Sequence, residues 1–431
     1  MATDQSGLTG VGRRPLRILH AVGPGDAVAS YRHWKSDAVL EDETSLTYSS
    51  KYFSFCIGNG VKTRVVSCHP RREVVHDGAF VVENLPKPGS GKERGLLFHL
   101  RELAYGLCIV GLGVIDRADV ALIDSGTSHW FVFALFRLFG IKVVCNFHNA
   151  VWPAGFPPKK PIIRLINRLN GFFLRYLCHA CIGVSPECQR QAEQIARGPL
   201  RFIQYRAVYL EAPFADHTPA DFSQRPFRIV FAGRVERNKG VFDIVAMAEK
   251  LNALRPDQVV FEICGDGSAF NQIAAEKAKH RLDQVVILHG RLRRPQLVAV
   301  YRRSHLVIVP TTSDFNEAFA MVVAEGVLMR RPVLSNPVVP ACEVLAPAVV
   351  LARTDDVDDY VARILELMDD PDRYQRLCAA CEDLRKPFFD PANGLGMAVA
   401  TVLNDLFPGR LPLPPPRPSG PLAQIVALRK T

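Results

Sequence analysis

The sequence predicts an α/β protein built from two doubly wound Rossmann-like domains that face a cleft. Three observations carry this. From residue 16, short β-rich runs alternate with longer helical patterns, the signature of βαβ units on a parallel sheet. Residues 211–226, "EAPFADHTPADFSQRP", are polar, proline-bearing and without periodicity, and the alternation restarts at residue 227. The 431 residues are too many for one ordinary core and suit two domains of about 200 residues each.

In the first domain, residues 16–210, the segments "LRILHAVG" (16–23), "KTRVVSCH" (62–69), "DVALIDSG" (119–126), "KVVCNFHN" (142–149) and "ACIGVS" (180–185) read as strands with their exit loops. Between them "SSKYFSFCIGNG", "GLLFHLRELAYGLCIVGLGVI" and "SHWFVFALFRLFG" read as helices. The apolar run 103–115 is shorter than the roughly 20 residues that cross a bilayer, so it reads as a buried helix. After the linker 211–226, the second domain (227–390) offers the strands "FRIVFAG" (227–233), "QVVFEICGDG" (258–267), "QVVILHG" (284–290), "HLVIVPT" (305–311) and "RPVLSN" (331–336). A C-terminal helix over 391–407 and a proline-rich tail over 408–431, expected to be disordered, complete the chain.

The net charge of +10 implies an anionic partner: nucleic acid, an anionic membrane surface or a phosphorylated small molecule. Nucleic acid is disfavoured, because the cations do not alternate with aromatics along a groove-sized surface. The N-terminal "MATDQSGLTGVGRRPLRILH" lacks the apolar core of a signal peptide, so the expected location is the cytoplasm and the eleven cysteines are expected as thiols. The pairs Cys178/Cys181 and Cys378/Cys381 lie too far apart in sequence to read as one zinc site, and no metal is expected. The acidic run "TDDVDD" (354–359) reads as a solvated helix start.

Chemistry concentrates at the strand exits of the second domain, the edge where open α/β sheets bind ligands. In "FAGRVERNKGVFDI", Arg234 and Lys239 stand beside Gly233 and Gly240, a combination that suits a diphosphate; a solvated basic loop is the plainer alternative. "CGDGSAF" holds Gly265 in a turn that either passes close to a nucleotide or is purely structural. "ILHGRL" puts Arg291 and Leu292 where backbone groups meet a base edge. In "NEAFAMVVAEG" (316–326), Asp314 and Glu317 have capping-box spacing, which expects a helix with Asp314 as N-cap. The amides of Phe319, Ala320 and Met321 would then meet a phosphate. On such a helix Glu325 lies about 12 Å beyond Glu317, too far to share a proton but at a spacing that would let the two carboxylates hold opposite ends of an extended ligand.

The order "GR…NKG", "GDG", "HG", then Glu, seven residues, Glu resembles the donor half of the retaining glycosyltransferases of family four, which have the two-Rossmann GT-B fold. The likeness is strong over 227–380 and weaker over the first domain. It implies a UDP- or GDP-sugar donor, a glycan or lipid-linked acceptor, retention of configuration, and no cofactor or metal. It further implies that Arg234 and Lys239 bind the donor diphosphate, Glu325 the ribose hydroxyls and Glu317 the transferred sugar. His148 of "NFHN" matches a strand-end histidine near sugar and acceptor, although a structural hydrogen bond accounts for it equally well. Gly23 and Gly25 of "GPGD" stand where the family has a glycine pair on the acceptor side. The chain departs from the pattern at Ala318 and Ala320, usually glycine, and at "PVVPACEVL", where a glycine-rich segment is usual. A nucleotide-sugar epimerase on the same fold and a nucleotide-sugar-binding protein without turnover are the alternatives.

Residues 159–177, "KKPIIRLINRLNGFFLRYL", set Lys160, Arg164, Arg168 and Arg175 on one helix face and Ile162, Ile166, Leu169 and Phe173 on the opposite one. This fits peripheral attachment to the inner face of an anionic membrane, and equally an ordinary helix packed on its sheet.

Overall fold

The computed structural model describes residues 14–36, 48–91 and 93–411. Its first half runs β1 (Arg17–Ala21), α1 (Ala27–Lys35), α2 (Tyr48–Gly58), β2 (Lys62–Ser67), β3 (Glu73–Asp77), β4 (Phe80–Asn84), α3 (Leu96–Ile115), β5 (Val120–Asp124), a 3-10 helix (Trp130–Phe139), β6 (Lys142–Phe147), α4 (Pro161–Tyr176), β7 (Ala180–Gly183), α5 (Pro186–Ala196) and β8 (Phe202–Gln204). The strands form one sheet in the order β3-β4-β2-β1-β5-β6-β7-β8, parallel except for the β3–β4 hairpin.

The second half runs β9 (Phe227–Ala232), α6 (Val241–Leu254), β10 (Val259–Cys264), α7 (Phe270–Lys279), β11 (Val286–Gly290), α8 (Arg294–Arg303), β12 (Leu306–Val309), α9 (Met321–Leu328), β13 (Val333–Ser335), α10 (Ala341–Val344), β14 (Val349–Leu351), α11 (Val357–Asp369), α12 (Pro371–Arg385) and α13 (Leu395–Leu406). Its sheet is wholly parallel, ordered β11-β10-β9-β12-β13-β14. Central strands such as β10 and β12 are buried at every residue, because helices cover both faces.

Right-handed crossovers put α3, the 3-10 helix, α4 and α5 on one face of the first sheet, where each packs on the next. On the other face α13 lies beside α2, and its Val399, Val402 and Leu403 pack near Ile18, Val120 and Leu122. The last helix therefore returns to the first sheet and straps the two halves. Asn316 Nδ2 donates to the Val151 carbonyl (3.1 Å), and Arg190 pairs with Glu343 (2.6 Å), adding polar ties between them.

Several expectations need correction. The helix expected from Asp314 begins only at Met321, so Glu317 lies in the loop after β12. Asp314 instead meets the hydroxyl of Thr312, and Ala320 has φ 68° and ψ 86°, outside the helical region. The stretch "SHWFVFALFRLFG" is a 3-10 helix: with three residues per turn, buried Trp130, Phe133 and Phe136 align on one edge, a period of three rather than 3.6. The apolar run 103–115 belongs to the 20-residue helix α3, long and apolar enough to cross a membrane by length and composition, though Tyr105, Ile109 and Val110 are buried against the sheet side. On α4, Ile166 and Phe173 are buried but Ile162 and Leu169 are exposed, so the expected apolar face is split. Strands β3, β4, β8 and β14 were not expected. The disorder expected of 408–431 concerns a segment of which only 408–411 lie within the described residues. All eleven cysteines are free thiols.

One buried histidine joins β9 to the start of β12. His305 is 1% exposed; its Nδ1 accepts the Arg228 amide (3.0 Å) and its Nε2–H donates to the Asp221 carbonyl (3.1 Å). Both nitrogens are committed in the neutral tautomer. Burial, helped by the Arg225, Arg331 and Arg228 charges, lowers its pKa from 6.5 to about 4. Between these values the unfolded chain binds a proton that the native chain refuses, so stability rises with pH there and is lost as pH falls. Urea titrations at stepped pH should show His305→Asn with a shallower dependence over this window, by up to about 1.4 kcal/mol per pH unit. Parallel curves for the two proteins would contradict this role.

Candidate functional site

The strand order of the second sheet reverses at β9, with β10 on one side and β12 on the other, so the exit loops of β9 and β12 diverge around a crevice. A cleft of about 750 Å³ occupies it, lined by exits of β9, β10, β11 and β12 and by the start of α9. Arg234 and Lys239 come from the first loop. Their guanidinium and ammonium groups stand over the same Phe315 ring, at 5.8 Å and 4.1 Å from its centre. Gly240, with φ 73°, ends this loop; a Cβ there would lie 2.0 Å from the Pro310 carbonyl oxygen, so the turn onto α6 needs glycine.

Glu317 is 9% exposed and bonds Lys239 Nζ at 2.5 Å, with Thr311 Oγ1 donating at 3.4 Å. Glu325, one turn into α9, accepts from Tyr301 Oη at 3.3 Å. Burial, the dominant cause, and the Glu325 charge push the Tyr301 phenol well above its usual value, so it remains a donor. Between the carboxylates, the N-terminus of α9 opens at Ala320 and Met321. Ala320 keeps a left-handed backbone that costs an L-residue about 1 kcal/mol, a strain that sits on the cleft wall.

Of the residues expected at a nucleotide sugar, Gly233, Arg234, Lys239, Gly265, Arg291, Leu292, Glu317, Ala320, Met321 and Glu325 all line this cleft. Phe319 does not; its side chain is buried, 6.1 Å from the Phe388 ring. Gly265 also packs loop on loop, since a Cβ would fall 1.8 Å from the Gly233 carbonyl oxygen. His148 lies behind the wall. Its ring meets Tyr48 edge-on at 4.3 Å, and Tyr48 Oη donates to Met321 Sδ at 3.9 Å. Burial holds His148 below its usual pKa, with Asp124 opposing, so the ring is neutral at pH 7. A relay runs inward from it: Tyr205 Oη is 3.4 Å from His148 and donates to Asn146 (2.8 Å), which donates to Asp124 (2.8 Å).

A second cavity, of about 860 Å³, shares Arg234 with the first and is walled by α3, α4, the exit of β5 and the Asp314–Asn316 loop. Its polar side includes Lys87, paired with buried Glu102 (2.6 Å), and His99, whose Nδ1 is 3.1 Å from His129 Nε2. Gly23 and Gly25 line neither cavity, whereas the exit of β5, residues 125–128, lines the second. Phe315, Asp266, Thr311 and Glu102 escaped sequence reasoning. A lone carboxylate inside the apolar run around Glu102 was the one available signal. Among the described residues no group of three or more His, Cys, Asp or Glu is placed to hold a metal ion.

Residues 215–382 match the family model described as Glycosyl transferases group 1, and this segment contains Arg234, Lys239, Glu317 and Glu325. Glycogen synthase of Mycobacterium tuberculosis (strain ATCC 25618 / H37Rv) is 26% identical over 184 residues, 41% of this chain and 42% of that protein. D-inositol 3-phosphate glycosyltransferase of Pseudarthrobacter chlorophenolicus is 31% identical over 115 residues, 26% of this chain and 27% of that protein. The chain thus matches less than half the length of these curated relatives. The crystal structure of Anabaena Alr3699/HepE in complex with UDP has a TM-score of 0.62 at 15% identity, covering 91% of this chain and 100% of that one. The likeness shows a shared fold, the paired Rossmann-like domains of GT-B glycosyltransferases.

The Lys239–Glu317 pair is mostly buried, so removing one partner strands the other. Lys239→Met should cost on the order of 2 kcal/mol in urea unfolding, and the double variant Lys239→Met/Glu317→Gln should recover at least half of it. Additive losses would mean that the two side chains are not coupled.

Proposed function

We propose that this protein is a glycosyltransferase that moves a sugar from a nucleoside-diphosphate sugar to a glycan or lipid-linked acceptor with retention of configuration. The observation that carries the reading is the convergence of Arg234, Lys239, Glu317, Glu325 and the α9 N-terminus on one cleft, inside the segment that matches the glycosyltransferase model. A diphosphate against the α9 amides would have Arg234 and Lys239 on its flank. The ribose hydroxyls then fall to Glu325 and the transferred sugar to Glu317. Arg291 and Leu292, at the exit of β11, take the base.

Breaking the bond between sugar and diphosphate builds negative charge on the leaving oxygen and positive charge on the anomeric carbon. Two fixed cations and a helix N-terminus stabilise the first without reorganising. Glu317, held by Lys239, faces the second. The acceptor enters by the second cavity, which meets the donor cleft at Arg234. Its hydroxyl attacks from the side that the diphosphate leaves, and the departing phosphate oxygen takes its proton; this same-face course accounts for retention. The two cations meet the diphosphate charge without a metal. His148 acts through Tyr48 and Met321, and neutral at pH 7 it adds no charge beside the donor.

UDP, the nucleotide held by the Anabaena structure, is the first ligand to test. Arg234→Ala and Lys239→Ala should each lower kcat/KM for transfer by roughly 2 to 4 kcal/mol of transition-state stabilisation. Turnover unchanged from wild type would remove this loop from the mechanism.

The two carboxylates separate in a second experiment. Calorimetry should show Glu325→Gln weakening UDP or GDP binding, while Glu317→Gln leaves nucleotide affinity within about twofold and lowers transfer. Equal effects on the free nucleotide would overturn the division of labour between them.

A further inference from the structure

Among the described residues, the helical layer on one face of the first sheet leaves an apolar surface uncovered. On α4, Ile166, Phe173 and Leu174 turn inward, whereas Ile162, Leu165, Leu169, Phe172 and Tyr176 are exposed, Phe172 by 61%. At 100° per residue these five share an arc of about 80°. Arg164, Arg168 and Arg175 fill the adjoining arc of about 40°. The segment "PIIRLINRLNGFFLRY" contains no carboxylate, and among the described residues neither Arg164 nor Arg168 pairs with one. The 3-10 helix packed against α4 adds Leu138, 78% exposed, and Phe139, and α3 beyond it adds Leu100 and Leu107.

We propose that this face, formed by α3, the 3-10 helix and α4, docks on an anionic lipid surface. Apolar side chains enter the acyl boundary while the arginine row meets lipid phosphates, the division of labour of an interfacial helix. A second copy of the chain fits the face less well, since a two-fold contact sets the arginine row against itself. The same two helices also wall the second cavity, from their inward sides: Phe98 and His99 of α3 and Ile163, Ile166 and Asn167 of α4 line it. Docking therefore holds that cavity within about one helix diameter of the lipid surface. The docking stands on exposure and charge alone, and only its use in delivering an acceptor rests on the transfer reading.

The test is sedimentation of the full chain with vesicles of phosphatidylcholine alone or mixed with phosphatidylglycerol. Binding should require phosphatidylglycerol and fall with added salt. It should weaken at least tenfold in Arg164→Gln/Arg168→Gln and in Leu165→Ser/Leu169→Ser/Phe172→Ser, while UDP calorimetry on both variants reports that the distant cleft is intact. A tryptophan placed as Phe172→Trp should shift to the blue and be quenched by brominated phosphatidylglycerol; one placed as Leu254→Trp, exposed on α6, should not. Equal recovery with both vesicle types overturns the proposal. So do undiminished binding in both variants, no binding at all, or a dimer in solution that the apolar substitutions dissolve. Failure of UDP to bind, with vesicle binding retained, counts against the transferase reading and not against the docking.

Discussion

Parallel strands joined by right-handed crossovers leave every strand exit on the same edge of a sheet, and the site depends on this constraint. Where the strand order reverses, successive exit loops diverge and a crevice opens without any specialised insertion. In the second sheet the reversal lies at β9, so the loop carrying Arg234 and Lys239 stands across from the loop carrying Glu317. In the first sheet it lies at β1, next to β5, and the exit of β5 supplies the wall of the second cavity. The return of α13 to the first sheet and the contacts of Asn316 and Arg190 keep the two edges facing each other.

Within that frame local forces set the chemistry. Phe315 lines the second cavity and stands under both Arg234, which lines both cavities, and Lys239, which lines the first, so one ring attracts both cations. Lys239 reaches past it to the buried carboxylate of Glu317. A cation already aligned with its counter-charge pays little entropy on meeting a second anion, which is the sense in which such a site is preorganised. Ala320 is the one strained backbone position among the residues that line the first cleft without being glycine. Its left-handed conformation ends the β12 loop and aims the first amides of α9 into the cleft; the strain persists because neighbouring packing holds it.

Glu317 illustrates how far a local pattern reaches. Capping-box spacing from Asp314 was a sound local signal, yet the helix waits until Met321, because Thr312 engages Asp314 while Lys239 and Thr311 take Glu317. Two neighbouring threonines and one partner distant in sequence, Lys239, together outweighed a cap worth about 1 kcal/mol. The 3-10 helix shows the same limit: "WFVFALFRLF" is apolar at every position but one, so a period of three and one of 3.6 are hard to tell apart until the sheet selects the Trp130, Phe133 and Phe136 edge. On α4 the apolar residues are legible in the sequence, but which of them face the core depends on where the sheet and α5 lie.

By itself the sequence determined the alternation of strands and helices, the two-sheet α/β class and the set of charged residues at the strand exits of the second half, because these follow from periodicity and from the spacing of glycines and cations along the chain. Tertiary structure alone decided that Lys239 holds Glu317, that Arg234 lines both cavities over the Phe315 ring, that Gly23 and Gly25 stand outside both, and that His148 meets Met321 through Tyr48. The reason is physical: each of these relations joins loops far apart in the chain, and their meeting depends on strand order and loop closure, for which single-sequence periodicity carries no signal.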